Sequence, residues 1–131
     1  MPKRGDLEYA KDVKEAIRRI EAYTKRLSYQ KFLKNIKTQD AVVRNLEIIG
    51  EAVKNISTNF KNKHKYVAWK NIAGMRDKLI HEYFGVNWSI VWDVVKHKLP
   101  ELKSQLESIF HDIKESQSQV LARFKYNLIK E

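Results

Sequence analysis

The chain has no cysteine, and only two prolines and four glycines in 131 residues. Without cysteine, disulfide staples and thiolate chemistry are both excluded. So little Pro and Gly leaves few turns and favours long helices. No apolar run approaches the roughly 20 residues that span a bilayer, and the opening MPKRGDLEYAKD lacks the apolar core of a signal peptide. The cytoplasm is the expected location, with no membrane partner. Acid is scarce as well: 16 Asp and Glu stand against 26 Lys and Arg, a net charge of +10. That balance favours a polyanion such as nucleic acid, although an acidic protein surface would fit equally well.

What is present is a folded domain. Hydrophobic residues at 43% and charged residues at 32% are an ordinary globular balance, and the length suffices for one core, so 1–131 is read as a single domain. Asp6 is placed to cap a first helix running to about Tyr29, because Ala10, Val13, Ile17, Ile20, Tyr23 and Leu27 recur every three or four residues. Around that stripe stand Lys11, Lys14, Arg18, Arg19, Lys25 and Arg26, either a solvated face or a flank that guides RNA. A break near 35–38 precedes a second helix, with Thr38 or Asp40 as cap and Val42, Leu46, Ile49, Val53, Ile56 and Phe60 as stripe. Such spacing suits an antiparallel bundle. On this helix an Arg44–Glu47 pairing or a structural Glu51 is favoured over a carboxylate metal site, since no histidine lies at bundle-metal spacing.

The string FKNKHKY at 60–66 gathers Lys61, Lys63, His64 and Lys65, a basic loop that is either merely solvated or in contact with RNA phosphate or a partner's acids. Trp69, Ile72, Met75, Leu79 and Ile80 give a third helix its apolar face, with Gly85 as stop signal. Asn87 caps a fourth helix carrying Trp88, Val91, Trp92 and Val95; at helical spacing the three tryptophans read as core in preference to base-stacking platforms. Pro100 fits either the first turn of a fifth helix or a kink after Lys98. Leu102, Leu106, Ile109 and Ile113 continue a stripe that lapses over 115–119 and resumes at Val120, Phe124 and Leu128. Residues 114–131 are thus an extension: a helix that packs on a second copy or a partner, or a frayed end. No strand-like alternation and no repeat competes. The fold class is all-α, a bundle of four to five helices.

Within 72–85, IAGMRDKLIHEYFG, the residues Arg76, His81 and Tyr83 stand as R-x4-H-x-Y. A guanidinium grips phosphate oxygens in a fork, and an imidazole gives or takes a proton near neutral pH. Asp77–His81 and Asp93–His97 each offer two metal ligands, but such pairs arise by chance on charged helices, and no metal or cofactor is expected. No Gly-rich phosphate loop, zinc motif or serine nucleophile pattern is present. The wider string GMRDKLIHEYFGVN, with Trp69 before it and Val91–Trp92 after it, resembles the HepT-like branch of the HEPN superfamily. These are small helical ribonuclease toxins with an R-x(4–6)-H signature, extended in this branch to the tyrosine found at Tyr83. The string LEIIGEA at 46–52 is similar too, and the resemblance runs from about residue 5 to about residue 113.

The resemblance implies an antiparallel HEPN bundle that dimerises, with composite sites at the dimer interface and Gly50 allowing close helix approach. It implies an endoribonuclease with Arg76 and His81 catalytic; by their charge, Lys61, Lys63, Lys65 and Lys78 are candidate contacts to RNA phosphate. It also implies a cognate nucleotidyltransferase antitoxin that transfers AMP to Tyr83. The residues themselves leave plainer alternatives: Arg76 in a structural ion pair, His81 at a helix end favoured by the dipole, Tyr83 as a buried ring. The rival reading is a non-catalytic HEPN module that binds RNA or a nucleotidyltransferase. A basic DNA-binding domain is weaker, because no recognition-helix arrangement emerges.

Overall fold

Ala10, Val13, Ala16, Ile17 and Ile20 are all buried along one face of the first helix, α1 (Asp6–Thr24). They meet Val42, Leu46, Ile49 and Val53 of α3 (Ile36–Asn55), and these two stripes form the centre of the core. The computed structural model describes residues 4–81 and 85–130, the side chains of Arg76, Leu79, Ile80 and His81 excepted. α5 (Trp69–His81) packs on α3, while the first half of α7 (Leu99–Lys130) packs on α1. Two polar links give the directions. Asp6 at the start of α1 bonds Ser57 just beyond α3, and Lys103 near the start of α7 reaches Glu21 near the end of α1 at 3.2 Å. Both pairs of helices therefore run antiparallel. The protein is an all-α bundle, and among the described residues there is no strand.

Shorter helices connect the long ones, and here the structure departs from the periodicity. α1 stops at Thr24 and does not continue to Tyr29; the Thr24 hydroxyl bonds back to the Ile20 carbonyl at 2.8 Å, and Leu27 closes a turn on Thr24. Tyr29 instead opens α2 (Tyr29–Leu33), whose cap Ser28 accepts the Lys31 amide. Tyr23, counted in the apolar stripe, is 43% exposed. Gly5 holds the N-cap position of α1, leaving Asp6 free to bond across the bundle. α3 begins with Asn35 as cap, accepting from the Thr38 amide at 3.0 Å, so neither Thr38 nor Asp40 has that role. α3 ends at Asn55, and Phe60 belongs to α4 (Thr58–Lys63), capped by Ser57.

α6 (Trp88–Asp93) starts at Asn87 as its sequence indicates, the Asn87 side chain accepting from the amides of Ser89 and Ile90. It passes through a π-helical turn at Val94–Lys98 directly into α7. Pro100 explains that turn. It has no N–H for the carbonyl four residues back, and the widened register is seen in the Leu99 amide bonding Val94. No helix among the described residues is long and apolar enough to cross a membrane.

Candidate active site

The helix that carries the Arg–His motif is anchored at its start. The indole N–H of Trp69 donates to the His64 carbonyl at 2.9 Å, and only 7% of the residue is exposed. Phe60 lies against both rings, 4.8 Å from His64 and 6.2 Å from Trp69. The Tyr66 carbonyl accepts from the Gln105 side chain, which ties this junction to α7. Farther along, the Lys54 ammonium bridges from α3 to the Asp77 carboxylate at 3.2 and 3.4 Å, one residue past the Arg76 position.

Arg76 and His81 both fall on α5, His81 as its last residue, and their side chains lie outside the described residues. Position 76 follows Trp69 by seven residues and Ile72 by four, so it stands on the row of α5 that carries the core contacts. Five residues advance a helix about 140° beyond a full turn, which puts position 81 on a different row. Tyr83 lies outside the described residues altogether. Lys78 is exposed on α5 and borders a cavity of about 240 Å³ with Leu46, Met75, Val86, Asn87 and Ile90.

The basic segment ahead of α5 is partly helical, and the expected loop is confined to its end. Lys61 and Lys63 lie in α4, where a helix C-terminus favours cations; Lys65 follows it. Lys63 and Lys65 are exposed and Lys61 is half-buried. His64 packs its ring against Phe60 and Tyr66, and so reads as structural. The tryptophans are packing residues: Trp88 and Trp92 enclose Phe32 at centroid distances of 5.8 and 4.9 Å. Arg44 pairs with Glu47 at 3.9 Å. Asp93 and His97 stand 3.9 Å apart on the surface, and among the described residues no three potential metal ligands come together.

One feature escaped the reading of separate helices. From Glu21 to Asp40 the chain contains no acid, and Lys25, Arg26, Lys31, Lys34 and Lys37 are all exposed. α2 brings this run against α6 through Phe32, and there Lys96 sits 4.6 Å over the Trp92 ring. A second cationic surface therefore borders the helix that follows the motif. The signal was the acid-free run itself.

A helical bundle with an Arg–His motif on one buttressed helix and two cationic surfaces around it defines a small all-α protein suited to phosphodiesters. The family model described as ribonuclease HepT-like matches residues 13–109, and the chain belongs to that family. It is an endoribonuclease. A protein of Thermococcus cleftensis named "Probable ribonuclease HepT" is 48% identical over 107 residues, 82% of this chain and 97% of that one. A Methanocaldococcus jannaschii protein named "Putative RNase" is 46% identical over 113 residues, covering 86% and 93%. Another relative with the same description, from Caldanaerobacter subterraneus, is 54% identical over 85 residues, covering 65% and 76%. No solved structure matches the chain significantly.

Proposed function

We propose that this endoribonuclease is a metal-independent toxin, acting as a homodimer in the cytoplasm and restrained by a nucleotidyltransferase antitoxin. The observation that carries the reading is the R-x4-H-x-Y string, which lies wholly inside the family match at 13–109. RNA brings its own nucleophile, the 2′-hydroxyl beside each phosphodiester, so a base, an acid and a cation suffice. The 2′-oxygen bonds to phosphorus while its proton passes to one His81. The bond from phosphorus to the 5′-oxygen breaks as the His81 of a second copy protonates that oxygen. Arg76 balances the added negative charge, and the ends are a 2′,3′-cyclic phosphate and a 5′-hydroxyl.

The different rows of α5 on which positions 76 and 81 stand support a two-fold site, where each copy supplies what the other lacks. Lys61, Lys63, Lys65 and Lys78 hold the phosphate backbone. Tyr83, two residues past His81, is the site at which the antitoxin attaches AMP. The added phosphate places negative charge beside the motif and competes with RNA for Arg76.

The test is cleavage of RNA in EDTA by protein whose Tyr83 is bare by mass spectrometry. His81→Ala loses about 10²–10⁴-fold in rate, with its folding and assembly intact. Failure of the bare dimer to cut tRNA, mRNA or rRNA overturns the mechanism. Tyr83→Phe escapes the antitoxin; full neutralisation of that variant overturns the switch.

A further inference from the structure

We propose that the outer half of α7 pairs antiparallel with the same segment of a second copy of this chain. α7 is one unbroken helix, Leu99–Lys130, and only its first part has a body to pack on. Leu99, Leu102, Leu106 and Ile109 are buried, and Phe110 and Ile113 are half-buried against the core. Every residue from 114 to 130 is exposed. At about 1.5 Å per residue this segment projects some 25 Å from the bundle. It also lies beyond the family match, which ends at residue 109.

The projecting segment is not polar all round. Val120, Leu121, Phe124 and Leu128 are 68%, 52%, 59% and 62% exposed. At about 100° per residue, Leu102, Leu106, Ile109, Ile113, Val120, Phe124 and Leu128 fall within an arc of about 100°. The stripe that builds the core therefore resumes beyond the polar residues 114–119 and runs for about two and a half turns with no core to face. A helix of this length is marginal in water by itself, and its apolar row is stabilised by a partner of matching length.

Charge order selects the partner. Around its inner end Asp112 and Glu115 flank Lys114, a surplus of one acid, whereas Arg123, Lys125 and Lys130 precede Glu131 at its outer end, a surplus of two bases. A parallel pair would set base against base. An antiparallel pair about a two-fold axis between Val120 and Leu121 sets Leu128 opposite Ile113 and Val120 opposite Leu121. It also brings Arg123, Lys125 and Lys130 of each copy within one turn of the other copy's Asp112 or Glu115. A two-fold contact of this kind is self-complementary and closes. It uses no residue of the Arg–His motif.

Since the chain has no cysteine, pairing can be read by introduced ones. The full chain carrying both Ile113→Cys and Leu128→Cys, mildly oxidised at tens of micromolar, should become a covalent dimer. Leu128→Cys alone should not, because in the antiparallel pair the two copies of position 128 stand roughly 20 Å apart. Adding Phe124→Glu to the double variant should lower the cross-linked fraction about tenfold. Two further cysteine-bearing chains, one with Asp112→Lys and Glu115→Lys, the other with Lys125→Glu and Lys130→Glu, should cross-link poorly alone and well when mixed. Absence of the covalent dimer overturns the pairing, as does equal cross-linking of Leu128→Cys alone. Tail variants that lose RNA binding while cross-linking stays unchanged assign the stripe to RNA and overturn it too. None of these readouts involves cleavage, so either proposal can fail without the other.

Discussion

The side-chain amide of Gln39 donates to the carbonyls of Phe32 and Leu33, at 3.1 and 3.2 Å, from a position only 7% exposed. One residue of α3 thereby closes the C-terminal end of α2, where carbonyls have no intrahelical partner. Gln39→Leu keeps the volume but leaves the Leu33 carbonyl without that donor, while the Phe32 carbonyl keeps the Asn35 amide at 3.1 Å, at a cost of about 1 kcal/mol. Urea unfolding measures the loss as a lower midpoint with an unchanged slope. An unchanged midpoint would mean that water replaces the amide without penalty.

Phe32 itself is the larger stake. It is fully buried, with Trp88 and Trp92 of α6 on its ring, and it is the one buried side chain of α2, Tyr29 adding a contact to Trp92 at 6.0 Å. Phe32→Ala should cost about 3–5 kcal/mol. Tryptophan emission should shift to the red at once in the folded variant, because Trp88 and Trp92 lose their cover. The same cut detaches Lys31 and Lys34 from α6, so RNA affinity should fall beyond what reduced stability explains.

The long helices were legible because burial follows their periodicity: Val13, Ile17 and Ile20, then Val42, Leu46, Ile49 and Val53, are all core. Asn87 was legible as a cap because no regular pattern competed with it. The breaks at Ser28 and Ser57 were not, since apolar residues keep the three–four beat across them. Ile56 is buried and Phe60 packs on the core although α3 ends at Asn55 and a new helix begins at Thr58. The serine caps were visible in the sequence, but spacing alone ranks a continuous stripe above a cap. The motif was legible as a string because Arg, His and Tyr within eight residues narrow the chemistry. The rows of α5 follow from spacing, whereas the cationic face of α2 required knowing that α2 exists. The unbroken course of α7 was hidden by polar residues at 115–119, which interrupt the stripe without breaking the helix.

Glu15 makes a pH prediction. Arg18 bonds its carboxylate through Nη2 and Nε at 2.7 and 2.9 Å, and Arg19 adds a contact at 3.3 Å. Hydrogen bonding from Arg18, ahead of the smaller Arg19 contribution, lowers the carboxyl from 4.5 to about 2. A folded value below the unfolded one means that this contribution is present above the ordinary carboxylate range. It is lost as pH falls from there through about 2. The group is fully exposed, so carbon-detected NMR titration of Glu15 is the measurement, not stability. Its midpoint should return toward the ordinary value in Arg18→Ala and move less in Arg19→Ala.

Two cationic surfaces are candidates for RNA contact, one at Lys61, Lys63 and Lys65, the other at Lys31, Lys34 and Lys37. Phosphate contacts supply affinity without sequence preference, and each contact to a single strand contributes about 0.7 to the slope of log affinity against log salt. Lys63→Gln with Lys65→Gln should therefore weaken binding to all single-stranded sequences alike and flatten the slope by about 1.4. Lys31→Gln with Lys34→Gln, measured in parallel, weighs the second surface on the same scale. A loss in both pairs means that the strand runs across both α4 and α2. Loss in the first pair alone confines it to the entrance of α5. Unchanged slopes in both pairs would remove these four lysines from RNA binding and leave the contact to Lys61, Lys37 or Lys78, the last beside the cavity next to α6.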